Sequence, residues 1–175
     1  MQSSTEQTLY DFKLGLHDLS GNEKFNQDLF SKIIKTLTAM ANTLKNSTGY
    51  CLIGVADTPQ SAHKHKEKYT VDYKAYSNFY ITGINAEATQ YHGDIDKYFT
   101  KLSQLIKNEP ISERDKDNIL RNISVVNYFD KTVIILKIES GDKPSVYSGK
   151  YYVRHGSNIN EVAPENFSDL FSRFQ

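Results

Sequence analysis

The strongest constraint in the chain is a junction between two apolar patterns of different period. From Asn26 to Lys45, Leu29, Phe30, Ile33, Ile34, Leu37, Met40, Ala41 and Leu44 recur at three- and four-residue steps, which predicts one helix with a single apolar stripe. Asn26 is its expected cap, and Asp28 in the first turn suits the positive end of the helix dipole. Asn46-Ser47-Thr48-Gly49 breaks the pattern, and Tyr50-Cys51-Leu52-Ile53-Gly54-Val55 follows as a short continuous apolar run of strand length. Such a run suits a strand covered on both faces. A helix feeding directly into a buried strand calls for layered helix-on-sheet packing and excludes a helical bundle.

The remaining segments extend the same reading. Leu9 to Lys13 and Phe79 to Ile84 read as strands, and residues 58–78 read as irregular. Asp94 to Lys107 forms a second amphipathic pattern behind an Asp94 cap. Asn108 to Asn118 reads as a polar loop, with one helical turn as the alternative. Ile123 to Phe129 and Thr132 to Ile138 are β-branched runs joined by Asp130-Lys131, a hairpin pattern. Ser145 to Tyr147 and Tyr151 to Arg154 form a second expected hairpin across Ser148-Gly149-Lys150. Pro164 suits the first position of a last helix with Phe167, Leu170, Phe171 and Phe174 inward. No internal repeat or linker interrupts the 175 residues, so the expectation is one domain over residues 1–175, α+β, with a mixed sheet and packed helices. A chain of this length buries roughly 70% of its unfolded surface and needs no covalent staples.

Composition narrows the class. No apolar run approaches a membrane span, and MQSSTEQTLYD lacks the apolar segment of a signal peptide. The single Cys51 rules out an intramolecular disulfide and a cysteine-based zinc site, and reads most simply as a small buried hydrophobe. A cytoplasmic location is the expectation. The 21 Lys+Arg balance 21 Asp+Glu, which taken as a sum argues against a nucleic-acid binder. The sum hides a local imbalance. Residues 58–84 and 131–160 together hold nine basic and four acidic residues, so the two stretches read as a basic face offset by an acidic remainder.

Three acids stand out by position. Glu6 and Asp11 flank the first strand-like segment, and Asp57 follows the buried strand by two residues. Acids beyond a buried strand face the crevice where loops gather. Carboxylates meeting there repel one another unless a cation lies between them, and hard oxygen ligands select Mg²⁺ or Mn²⁺. Such an ion polarises a phosphoryl oxygen and activates water, the chemistry of a phosphodiesterase, with Lys13 adding positive charge for the phosphate. The alternative is that these are three solvated acids among 21.

Five short motifs occur in a fixed order: Glu6…Asp11-Phe12-Lys13, Ala41-Asn42-Thr43, Leu52-Ile53-Gly54-Val55-Ala56-Asp57, Lys143-Pro144 and Tyr151-Tyr152-Val153-Arg154-His155-Gly156-Ser157. In this the chain resembles the Schlafen AlbA-like domain family over roughly residues 6 to 170. The resemblance implies nucleic-acid handling. Many bacterial members are DNA- or RNA-binding modules attached to other domains, and animal Schlafen proteins carry a metal-dependent ribonuclease that cleaves tRNA and rRNA through three acids at these motif positions. By that match Glu6, Asp11 and Asp57 form the acidic triad and metal ligands. The implied activity is endoribonuclease cleavage of structured RNA such as tRNA, in the setting of a bacterial anti-phage defence effector. The alternative is a non-catalytic DNA- or RNA-binding or regulatory module, and homo-oligomers or further domains are compatible with either. Three features depart from the family pattern: Asp11 stands where the family has Glu, Asn46-Ser47-Thr48-Gly49 replaces a Gly-Gly turn, and the tract after Asp57 is longer and richer in Lys and His.

The basic and aromatic residues around these motifs each carry two readings. Lys64, Lys66, Lys68 and Lys74 are expected to position a nucleic-acid backbone, with Arg154 and His155 at the late glycine turn. Arg154 is equally well read as a structural partner of an acid. His63-Lys64-His65 reads as a metal pair or as a solvated, phosphate-contacting loop. Tyr69, Tyr73, Tyr76 and Tyr80 read as stacking platforms for bases or as half-buried packing.

Overall fold

The computed structural model describes residues 8–20 and 25–175. The main sheet is built around the predicted helix–strand junction. Strand β1 (Tyr10–Lys13) pairs in parallel with β2 (Thr48–Ile53), and helix α1 (Gln27–Ala41) supplies the crossover that a parallel pair requires. Strands β6 (Ser124–Tyr128) and β7 (Lys131–Glu139) form the expected hairpin, turning through Phe129 (φ 56°) and Asp130, and β7 lies antiparallel to β2. The order is β1-β2-β7-β6, so the sheet is mixed and the fold is α+β.

Helix α1 lays Phe30, Ile33, Ile34, Leu37 and Met40 on Cys51, Ile53, Ile134, Leu136 and Ile138 of β2 and β7. Burying each such side chain contributes about 1.5–3 kcal/mol. The Asn26 side chain accepts from the Leu29 N–H at 2.9 Å, as the cap reading expects. The helix stops at Ala41, short of Lys45, because Asn42 is recruited elsewhere. Its side-chain amide donates to the Ser145 and Tyr152 carbonyls (both 2.9 Å), and its oxygen accepts from the Ser145 N–H at 2.7 Å. Leu44, the last residue of the periodic stripe, is left exposed. On β2 one face is fully buried while Tyr50 and Leu52 are half-buried, so the continuous run marks one core face and one partly covered face.

Gly54 (φ +103°) ends β2 and redirects the chain into β3 (Val55–Ala56), which joins β5 (Phe79–Ile81) and β4 (Lys74–Tyr76) in a small second sheet. A Cβ there would press on the Gly83 backbone and the Thr132 carbonyl, both at 3.2 Å. Residues 58–78, expected to be irregular, contain helix α2 (Pro59–Tyr69). It buries only Ala62 and His65, so it writes no apolar stripe into the sequence. Its start was nevertheless signalled: the Thr58 hydroxyl accepts from the Ser61 N–H at 3.2 Å, and Pro59 holds the first helical position.

Helix α3 (Asn85–His92) was not expected; it packs against α4 (Ile95–Asn108), which begins at Asp94 as expected, with Asp94 Oδ1 accepting from the Lys97 N–H at 2.7 Å. The stretch read as a polar loop over Asn108 to Asn118 leads instead into α5 (Glu113–Arg121), capped by Ser112 and buried at Asp115 and Ile119. The second hairpin is also shifted. Tyr147 and Lys150 bridge across the Ser148-Gly149 turn, but β8 (Tyr152–His155) pairs forward with β9 (Asn158–Glu161) across Gly156. Pro164 opens a 3₁₀ turn before α6 (Phe167–Ser172), which buries Leu170, with Phe174 just beyond it, while Phe171 remains exposed. Among the described residues no helix is long and apolar enough to cross a membrane.

Candidate nucleic-acid site

Asp11 and Lys13 lie two apart on β1, so both point to the sheet face that carries Cys51 and Ile53. At this edge of the sheet α1 no longer covers them, and β8 reaches across instead. The Arg154 guanidinium donates to the Thr8 carbonyl (3.0 Å) and the Tyr10 carbonyl (2.7 Å), and it stands 3.5 Å from Asp11 Oδ1. Lys13 Nζ lies 3.0 Å from Asp11 Oδ2. The Arg154 side chain is only 4% exposed, and burial lowers its pKa while Asp11 opposes that shift. Of the two readings of Arg154, the pairing with an acid is the one this geometry displays. The Gly156 N–H is also engaged, donating to the Thr8 hydroxyl at 3.2 Å.

Asp57 arrives from the other side, at the end of β3, because Gly54 turns the chain out of the main sheet. It is exposed and makes no ion pair or side-chain hydrogen bond with any described residue. Asp11 and Asp57 line one cavity of about 650 Å³, together with Arg154, Ser157, Tyr76 and Phe79. Asp57 also borders a second cavity of about 970 Å³, where Lys13, Lys64 and Lys68 converge. Glu6 lies outside the described residues. The described residues thus bring together two hard oxygen donors of the expected set, and no group of three His, Cys, Asp or Glu side chains gathers among them. The donor chemistry of Asp11 and Asp57 fits Mg²⁺ or Mn²⁺.

The helical form of α2 sorts its basic residues. Lys64 and Lys68 are one turn apart and line the larger cavity, with Lys68 Nζ donating to the Asp18 carbonyl at 2.8 Å. Lys66 lies on another face and pairs with Asp72 at 2.5 Å, an ion pair that raises the lysine pKa and lowers that of the aspartate. Lys74 stands 4.4 Å over the Phe129 ring, away from the acids. His155 is exposed on the β8–β9 hairpin, its Nδ1 3.4 Å from the Asn160 side-chain nitrogen. The basic face inferred from residues 131–160 does not form: Lys131 is buried, Lys137 pairs with Glu139 at 2.7 Å and Lys150 with Glu161 at 3.4 Å. Local sums fail here because β pairing and hairpin closure set basic residues beside acids that are near in sequence.

His63 and His65 do not act together. His63 is exposed beside Glu67 at 3.2 Å, while His65 is buried, which lowers its pKa to about 4. Tyr69 packs on His65 with ring centroids 4.8 Å apart, and Tyr73 sits edge-on to Tyr80. Tyr76 is 61% exposed at the cavity mouth, the one tyrosine of that set left open to stack. Cys51 is fully buried, and burial pushes its thiol pKa up, so it is no nucleophile.

Sequence reasoning missed the polar cluster that fixes the far end of β1. The Glu87 carboxylate accepts from the Leu16 N–H (3.0 Å), the His17 N–H (2.7 Å) and the Tyr98 hydroxyl (2.6 Å). Burial raises the Glu87 pKa, and the three donors oppose that rise. Gly15 makes the close approach possible, since a Cβ there would stand 2.4 Å from a Glu87 oxygen. No local signal marks Glu87, because the Leu16 and His17 amides that hold it are distant in sequence.

The architecture of an edge strand carrying an acid, a helix crossover into a central strand and a late arginine strand belongs to a known class. The Schlafen, AlbA_2 family model matches residues 6–163, and the chain belongs to that family. Among solved structures, it is similar to the DIP2311 protein from Corynebacterium diphtheriae, with 16% identity and a TM-score of 0.54. That likeness covers 97% of this chain and 24% of the other, and it shows the fold alone. No curated protein matches the chain.

Proposed function

We propose that the protein is a metal-dependent endoribonuclease acting on structured RNA such as tRNA. The observation that carries this reading is that Asp11 and Asp57, delivered by strands of two different sheets, line one cavity, and that Lys13, Lys64 and Lys68 line its neighbour beside Asp18 and Glu67. Membership of the Schlafen AlbA_2 family supports nucleic acid as the substrate class. Asp11 and Asp57, with Glu6, would hold Mg²⁺ or Mn²⁺. A divalent ion bound there supplies Lewis-acid polarisation of a phosphoryl oxygen and a more acidic bound water. Lys13, now on Asp11, is within reach to exchange that carboxylate for a phosphate oxygen. Arg154 fixes the edge strand and so the direction of Asp11. Lys64 and Lys68 line the approach for the RNA backbone.

One observation favours a second reading, a non-catalytic nucleic-acid-binding module: both Asp11 oxygens already face cations of the chain itself. Incubating the protein with tRNA and Mn²⁺ separates the two. Cleavage that disappears in both Asp57→Ala and Glu6→Ala establishes the nuclease. Binding of tRNA without cleavage in either Mg²⁺ or Mn²⁺ selects the binding module, and equal cleavage by wild type and both variants overturns the assignment of the acids.

A further inference from the structure

We propose that the groove between α1 and the β8–β9 hairpin is a second backbone-binding flank, which takes the phosphates of an unpaired RNA strand leaving the acidic cavity. The proposal rests on the nucleic-acid reading above and adds residues to it. This groove has a volume of about 770 Å³ and is lined by Lys32, Lys35 and His155 together with the amide side chains of Asn158 and Asn160. It meets the Asp11–Asp57 cavity at Ser157, which lines both. The acids therefore sit between two cation-bearing flanks, Lys64 and Lys68 on one side and Lys32 and Lys35 on the other.

The two lysines of this flank are held differently from the paired ones. Lys32 and Lys35 are three apart on α1, which sets their Cβ atoms about 5–6 Å apart on one helix face. Neither forms an ion pair within the described chain, whereas Lys66, Lys137 and Lys150 all do. Lys35 Nζ is placed over the Tyr152 ring at 5.0 Å and the Tyr147 ring at 5.6 Å, so its ammonium is oriented by π faces while its hydrogen-bonding capacity stays open. Asp28 is the one acid among the lining residues, at the start of α1. Two ammonium groups outside any ion pair of the described chain, an exposed imidazole and hydrogen-bonding amides, in a groove that shares Ser157 with the Asp11–Asp57 cavity, match the chemistry of a single-strand backbone. The tyrosine rings are occupied by Lys35, so the recognition is of phosphate and ribose, without base stacking.

The test is fluorescence anisotropy of a 5′-labelled oligouridine in EDTA, where no cleavage occurs, across a salt series. Lys32→Glu is expected to weaken binding about tenfold, and Lys32→Gln with Lys35→Gln to flatten the salt dependence by about 0.7 log units per lysine removed. Lys116→Ala, on α5 and lining neither flank, should bind as wild type. Melting temperature controls for folding, and Lys32 is the cleaner site because its side chain is exposed and holds nothing. Unchanged affinity and slope in the Lys32 variants, with Lys64→Glu impaired, overturns this flank and leaves the nuclease reading standing. Failure of the wild type to bind the oligonucleotide also overturns this flank, and the nuclease reading then stands or falls on the tRNA cleavage assay.

Discussion

Asp11 and Glu87 are carboxylates anchored at opposite ends of the same edge segment, and they are held by opposite means. Glu87 is buried and satisfied by backbone N–H groups and a tyrosine hydroxyl, with no room left around it once Gly15 has closed in. Asp11 is held by two cations, Lys13 and Arg154, at 3.0 and 3.5 Å, at the wall of an open cavity. Burial raises the Glu87 pKa on the closed side, so a shifted carboxyl here belongs to a structural cluster. The contrast is one of access: Glu87 is closed in by the fold, while Asp11 lies at the wall of an open cavity. Glu87 spends its lone pairs on the fold and Asp11 faces two cations of the chain, whereas Asp57 is exposed and unpartnered among the described residues.

The comparison breaks most visibly at Glu87. Glu87→Ala leaves the Leu16 and His17 N–H groups and the Tyr98 hydroxyl without their acceptor, and it should cost about 3 kcal/mol in urea denaturation. The raised pKa also fixes a sign. Above the ordinary carboxyl value of 4.5 and up to the higher folded value, the native state holds a proton that the unfolded chain has released. Stability should therefore fall as pH rises through that window, and Glu87→Gln should flatten the profile. An identical profile in the variant would sink the claim that Glu87 titrates on the closed side.

Arg154 lies between the extremes. Arg154→Met preserves much of the volume but strips the donors from the Thr8 and Tyr10 carbonyls and one cation from Asp11, and should cost about 2 kcal/mol. A change below the error of the denaturation curve would show that the arginine is not the anchor of β1. The smallest expected effect is at Asp57, which is exposed and unpartnered among the described residues. Asp57→Asn should alter stability by no more than about 0.5 kcal/mol. A loss as large as that of Glu87→Ala would erase the distinction between the open and closed sides.

Elements whose apolar residues repeat on one face were legible in the sequence: α1, α4, β2 and the β6–β7 hairpin, with the Asn26 and Asp94 caps in the expected places. Helices α2, α3 and α5 were not, because each buries only two residues and two of the three bury a charged side chain, Glu87 or Asp115. Lys13 and Asp57 could be singled out by their positions at strand ends, and Asp11 by its place in the first strand-like segment. The division of the basic residues could not, since it depends on which side of α2 each faces and on which acid the hairpins bring beside it.

The sequence by itself determined the layered α+β plan, because hydrophobic period is a local property that each element carries before any packing occurs. It also determined which carboxylates stand at strand ends, since those positions follow directly from the strands. Only the tertiary structure decided what those groups meet. Arg154 reaches Asp11 and Glu87 reaches the Leu16 and His17 amides across long stretches of chain, and hydrogen bonds between distant residues leave no periodic trace in sequence. The same closure left Lys32, Lys35, Lys64 and Lys68 beside the cavities while pairing or burying Lys66, Lys131, Lys137 and Lys150. A neutral chain thereby acquires a cation-flanked acidic cavity, because charge in a folded protein is distributed by contact in space and not by neighbourhood along the backbone.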